Sequence, residues 1–237
     1  MRIKEKAVKK YISMILKMTN LAKRIFYKEL VSYRKRSSTY LSPIVFFLIT
    51  IALYPLALSN DPADLAFLAP GITWICVLLS TLLSIQNIFN EDFEDGSLDI
   101  FFSLRVSTLY LVILKILVNW IFSSLPIIIL SSTVVFLLFL PSESLVILLT
   151  SLLVGTPVIS LFGALAGALS LGKSSILGPA IVLPLSLPIL ILGTSEVTSF
   201  LNGENPSFYF LMMLAIFIFL LPLICYACIG ALRLHYE

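Results

Sequence analysis

Five carboxylates fall within nine residues in the stretch Asn90-Glu91-Asp92-Phe93-Glu94-Asp95-Gly96-Ser97-Leu98-Asp99, in a chain that is elsewhere mostly apolar or basic. The chemistry such a cluster offers is charge complementarity. No serine, cysteine or carboxylate constellation suited to catalysis accompanies it, and the single histidine, His235, lies far away near the end of the sequence. The local residues predict the start of a short helix. Gly96 permits a sharp turn, the Ser97 hydroxyl can cap free backbone N–H groups, and Asp99 then sits in the first turn, where a negative charge is favourable. Leu98, Ile100, Phe101, Phe102 and Leu104 follow, so the helix would carry one acidic and one aromatic edge. That is the shape of a plug for a socket in another protein.

Two other motifs invite chemistry that their surroundings do not support. Gly167-Ala168-Leu169-Ser170-Leu171-Gly172-Lys173-Ser174 matches the pattern GxxxxGK[ST], but a phosphate-binding loop follows a strand and opens a helix, whereas this one begins at the end of an apolar run. Lys173 reads better as a topology anchor. Cys225 and Cys228 form a CxxC inside an apolar helical pattern, with Cys76 elsewhere, so buried thiols are expected in place of redox chemistry. One histidine cannot supply a pair of axial haem ligands, and no CxxCH is present.

The elements that must position the acidic stretch are membrane spans. Hydrophobic residues make up 59% of the chain, charged residues 12%, and the mean hydropathy is +1.05, well beyond a soluble domain. A helical span needs about 20 apolar residues. Six such windows recur, at 41–58, 65–85, 116–138, 145–169, 176–192 and 208–232. Their continuous apolar runs differ from the alternation of a membrane β-barrel. Backbone groups in lipid must be satisfied internally, so the runs predict helices, in one all-α integral membrane domain over 37–237.

Twelve of the sixteen Lys and Arg precede the first window; the other four, Arg105, Lys115, Lys173 and Arg233, fall on one side if the chain crosses six times. The loops at 59–64, 141–144 and 193–207 contain no Lys or Arg. The positive-inside rule then places both termini in the cytoplasm. The net charge of +3 follows from this topology and gives no reason to expect nucleic-acid binding. Residues 1–36 alternate basic and apolar positions at helical spacing and predict an interfacial amphipathic helix. Their likeness to a mitochondrial targeting peptide is weakened by Glu5 and the paucity of serine.

Within the spans, residues 107–140 are too many for one perpendicular crossing, so an interfacial segment up to Lys115 is expected before the span proper. Lys115 can snorkel to the surface or pair with the carboxylates near Asp99. Gly163 and Gly167 form a GxxxG pair that predicts helix packing inside the domain, or a homodimer seam. Pro179, Pro184 and Pro188 are expected to distort the fifth helix. No Asp or Glu falls within the six windows, which weighs against a proton-coupled carrier. Energy must then arrive from elsewhere, with the acidic stretch as its receiver.

On these residues the chain resembles the CcmB family of cytochrome c maturation permeases. The resemblance is carried by Leu53-Tyr54-Pro55-Leu56-Ala57-Leu58, by Leu68-Ala69-Pro70-Gly71-Ile72-Thr73-Trp74, by the acidic stretch itself, and by Gly155-Thr156-Pro157. Leu161-Phe162-Gly163-Ala164 and Leu183-Pro184-Leu185 continue it, collinear over about 23–234. The chain departs from the family pattern at Ser103-Leu104-Arg105-Val106, where the family has Ser-Pro-Leu-Pro, and at Asn119-Trp120, where it often has a histidine before the tryptophan.

The resemblance implies an ABC-2-type permease subunit with no ATPase activity of its own, in the bacterial inner membrane rather than the mitochondrial one. It implies a separate ATPase of the CcmA type, a haem-handling membrane subunit of the CcmC type and a small membrane subunit of the CcmD type. ATP acts through the partner, and no cofactor is assigned to this chain, with contact to haem left open. The expected coupling helix between spans 2 and 3 comprises Glu91, Asp92, Glu94, Asp95, Gly96, Ser97, Leu98, Asp99, Phe101 and Phe102, and Lys115 carries its displacement into the bundle. A two-ATPase engine argues for two permease copies or one permease with a related partner. The competing readings are an ABC-2-type exporter of drug, polysaccharide or lipid, a passive scaffold, and, least supported, an intramembrane enzyme.

Overall fold

The computed structural model describes residues 27, 37–58, 61–85, 88–94, 96, 108–171 and 177–234. Residues 1–36 other than Tyr27, including the expected amphipathic helix, lie outside the described residues, as do Asp95, Ser97, Leu98, Asp99, Phe101, Phe102, Lys173 and His235. Among the described residues the architecture is all helical, with no strand. In chain order these are α1 (Ser37–Ala57), α2 (Pro62–Ile85), α3 (Asn90–Glu94), α4 (Thr108–Asn119), a π-helical turn (Trp120–Ser124), α5 (Leu125–Leu130), α6 (Thr133–Leu137), α7 (Ser144–Leu169), α8 (Leu177–Leu201) and α9 (Ser207–Arg233).

Among the described residues, five stretches are long and apolar enough to cross a membrane: Pro62–Ser84, Thr108–Leu137, Ser144–Leu169, Leu177–Leu201 and Ser207–Arg233. The remaining window, the first at 41–58, corresponds to the shorter apolar helix Leu41–Ala57 within α1. Helix α7 is the centre of the bundle, packing most extensively against α8 and α9 and also against α2 and α4. Its interior face runs through Leu148, Leu152, Val158, Ile159, Ala164 and Ala168, all buried. Gly163 and Gly167 are buried on the same helix. Several buried hydroxyls are satisfied by carbonyls of their own helix, as in Thr73 to Ala69 (2.7 Å) and Ser80 to Cys76 (2.6 Å), which allows polar residues at membrane depth.

The third span differs from the sequence expectation. No break occurs at Lys115; α4 runs through it, because the Lys115 ammonium has partners inside the protein and need not reach water. The irregularity comes later. Pro126 stands in the first turn of α5, where its ring excludes the usual hydrogen bond to the preceding turn, and the helix widens there so that the Leu125 N–H bonds to the Trp120 carbonyl.

The fifth span also differs. The expected loop at 193–207 is helical as far as Leu201, and the prolines at 184 and 188 lie inside continuous helix. Its polar residues are absorbed locally: the hydroxyls of Thr194 and Thr198 bond to the carbonyls of Ile191 and Thr194, each at 2.9 Å. The helix ends at Gly203, whose φ of +76° and N–H bond to the Phe200 carbonyl, with Glu204 N–H on the Ser199 carbonyl, form a Schellman cap. Glu196 therefore sits within the span and is buried. A carboxylate thus lies inside a span, and a lack of intramembrane acids does not weigh against a proton-coupled carrier.

Candidate coupling site

The acidic stretch begins with a short helix that ends just before Gly96. Residues 90–94 are helical, the Gly96 N–H bonds to the Phe93 carbonyl at 3.3 Å, and Gly96 has φ of +70°, the left-handed region that glycine adopts without strain. The helix predicted from Ser97 onward lies outside the described residues.

Helix α3 is held to the bundle by a buried pin. The Lys115 ammonium pairs with the Asp92 carboxylate and donates to the Ile88 carbonyl at 2.8 Å; the two side chains are 6% and 3% exposed. The same ammonium lies 5.8 Å from the centroid of the Phe89 ring, within cation–π range. Phe89 and Ile88 are buried, and the Phe93 N–H returns to the Phe89 carbonyl at 3.0 Å. Charge and packing thus fasten one turn of chain to α4. Asp92, expected on a partner-facing surface, is turned inward to Lys115. Phe93, which sequence reasoning passed over, is the aromatic side chain of α3 left exposed.

Deeper in the bundle two tryptophans meet one turn of α7. Trp74 of α2 is fully buried and fills notches left by two glycines. A methyl group at Gly155 would stand 2.3 Å from its Cη2, and one at Gly193 of α8 would stand 2.0 Å from its Cζ2. Trp120, at the π-turn, donates its indole N–H to the Thr156 hydroxyl at 2.9 Å. Ser151, one turn away on α7, donates to the Gly193 carbonyl at 3.3 Å and bonds the Glu196 carboxyl, whose Oε2 has no hydrogen-bond partner. None of these contacts was predicted; the available signal was a buried-type aromatic on one span and a glycine on another, which sequence cannot pair. The three cysteines are buried and unpaired, and among the described residues no cluster of His, Cys, Asp and Glu could hold a metal. Gly167, Ala168 and Leu169 of the GxxxxGK[ST] match are in the last turn of α7, Ser170 caps that helix and Leu171 is buried, whereas Gly172, Lys173 and Ser174 lie outside the described residues.

Several long apolar helices around a central α7 define a multi-pass helical membrane protein. The profile of the CcmB family, described as CcmB protein, matches residues 20–235. A "Heme exporter protein B" of Pseudomonas aeruginosa is 35% identical over 219 residues, covering 92% of this chain and 98% of the relative. A protein of the same description from Haemophilus influenzae is 38% identical over 173 residues (72% of this chain, 78% of the relative), and one from Paracoccus denitrificans 36% over 194 (81% and 89%). The chain belongs to the CcmB family.

Proposed function

We propose that this chain is the membrane subunit of an ABC transporter in cytochrome c biogenesis, serving haem export or the release of a haem-loaded chaperone. The observation that carries the reading is the similarity to "Heme exporter protein B" over nearly the full length of both chains. This favours haem-linked work over export of drug, polysaccharide or lipid. The chain itself is a transporter subunit, with ATP hydrolysed in a separate partner of the CcmA type. Subunits of the CcmC and CcmD types complete the assembly in the bacterial inner membrane, as one permease copy with a related partner or as two. Residues 1–36 form a basic amphipathic segment ahead of a six-span permease domain at 37–237, with both termini cytoplasmic.

The ATPase-facing surface comprises Glu91, Glu94, Asp95, Gly96, Ser97, Leu98, Asp99, Phe101 and Phe102, with Asp92 as the anchor behind it. Closure of the ATPase dimer displaces this segment, and Lys115, paired with Asp92, passes the displacement to α4. Gly163 and Gly167 serve helix packing within the domain. Replacing Glu94 and Asp95 by Lys reverses the charge at the surface and lowers co-purification of the ATPase while leaving membrane insertion intact. An undiminished complex with unchanged ATP turnover refutes the assignment. Deletion of the chain with cytochrome c levels unaffected would move the reading to a generic exporter.

A further inference from the structure

Helix α3 is fastened to two different spans, and both reach the same turn of α7. It follows α2 directly in the chain, and it is pinned to α4 through Asp92 and Lys115. Trp74 lies eleven residues before the end of α2, about 16 Å along the helix at ~1.5 Å per residue. Trp120 follows Lys115 by five residues. The first inserts its ring against Gly155 and the second bonds Thr156, so adjacent residues of α7 receive one tryptophan each.

The two contacts differ in kind. On the Trp74 side there is no free space: the ring lies between Gly155 and Gly193, and the Ser151 hydroxyl ties α7 to α8 beside it. Close-packed contacts of this sort hold helices as one body. On the Trp120 side the π-turn that follows α4 is tied to α7 by the Trp120–Thr156 hydrogen bond, which stands beside a cavity of about 250 Å³ between α4, α7 and α9, whose walls include Trp120, Pro157, Ser160, Phe217 and Cys225. The backbone is irregular at this point as well. Trp120 opens the π-turn, and Pro157 lacks the N–H that would bond the carbonyl one turn earlier on α7.

We infer that α2, α7 and α8 form the fixed block of this permease, that α4 is the element that moves against it, and that Trp120 and Thr156 are the positioning residues of that movement. This inference rests on the proposed coupling role of α3. Displacement of α3 draws α4 along through Lys115; the Trp120–Thr156 bond opens, and the indole shifts into the adjoining cavity. Trp74 stays seated throughout. The cavity gives the indole its room to move, and the hydroxyl of Thr156 sets its resting position.

The chain contains two tryptophans, so labelling it with 5-fluorotryptophan gives two ¹⁹F resonances, assigned by Trp74→Phe and Trp120→Phe. The labelled chain is assembled in nanodiscs with its unlabelled ATPase. A non-hydrolysable ATP analogue should shift the Trp120 resonance and leave the Trp74 resonance in place. Thr156→Val, which keeps the shape and removes the acceptor, should move the Trp120 resonance at rest and lower mature cytochrome c per ATP hydrolysed several-fold, at unchanged assembly. Thr156→Ser should restore both. Ser160→Leu, which fills the cavity, should suppress the nucleotide-induced shift. A Trp120 resonance unmoved by nucleotide in an assembled, ATP-hydrolysing complex overturns the inference alone, as does a shift confined to Trp74. An ATPase that does not bind the chain overturns the coupling role of α3 and this inference with it.

Discussion

Lys115→Met isolates the buried pin, because methionine keeps the length and apolar stem of the side chain and removes the ammonium. In the native structure Asp92 and Lys115 neutralise each other with side chains 3% and 6% exposed, and the ammonium also satisfies the Ile88 carbonyl. Removing one partner of a buried pair costs about 3–5 kcal/mol, since the remaining charge is left desolvated. Helix α3 has five residues, far below the length at which a helix holds its shape unaided. The cost therefore falls on the docking of α3, with the long spans intact. The opening equilibrium of residues 88–94 should rise by roughly two to three and a half orders of magnitude, at about 1.4 kcal/mol per tenfold. Hydrogen exchange in nanodiscs measures this directly. Peptides covering 88–94 should lose protection in Lys115→Met, while peptides within α7 keep theirs. The double variant Lys115→Met with Asp92→Leu removes both charges and should recover most of the protection. If the single variant exchanges as the native protein does, or if the double variant is worse than the single, the pin does not hold α3 and the reasoning fails.

Gly193→Ala places a methyl 2.0 Å from Trp74 and should destabilise the bundle by about 1–3 kcal/mol, read as a lower thermal transition in detergent; adding Trp74→Leu should return part of the loss. Glu196→Gln preserves a bond to Ser151 and should leave folded yield near native, whereas Glu196→Lys buries a cation beside a hydroxyl and a backbone carbonyl and should abolish the monodisperse peak in size-exclusion chromatography. Cys76, Cys225 and Cys228 are each no more than 1% exposed, so maleimide should label none of them in the folded protein and all of them after SDS; prompt labelling of the native protein would contradict the packing of α2 and α9.

Much of this architecture is legible one residue at a time. The apolar runs give the helices, since a backbone in lipid has no other way to satisfy its N–H and C=O groups, and the acidic stretch stands out because every neighbouring segment is apolar or basic. Lys115 was legible as a cation that must either reach water or find an acid, but not which acid. Local reading failed where a distant partner changed the outcome. The polar run beginning at Gly193 looks like a loop, yet Gly193 is the notch for Trp74 and its neighbours bond back into α8. Residues 107–115 look like an interfacial segment, yet Lys115 is neutralised within the protein and the helix continues.

The sequence by itself determined the class of protein, its helical spans and the position of its charged stretch, because these depend on hydropathy and local backbone chemistry summed along the chain. Tertiary structure decided which acid Lys115 meets, which glycines receive Trp74, that Trp120 and Thr156 touch, and that Glu196 is enclosed. Each of those depends on side chains from different helices arriving at the same depth and facing one another. No period or composition along one helix encodes the rotation and depth of its neighbour; those are fixed only when the whole bundle packs.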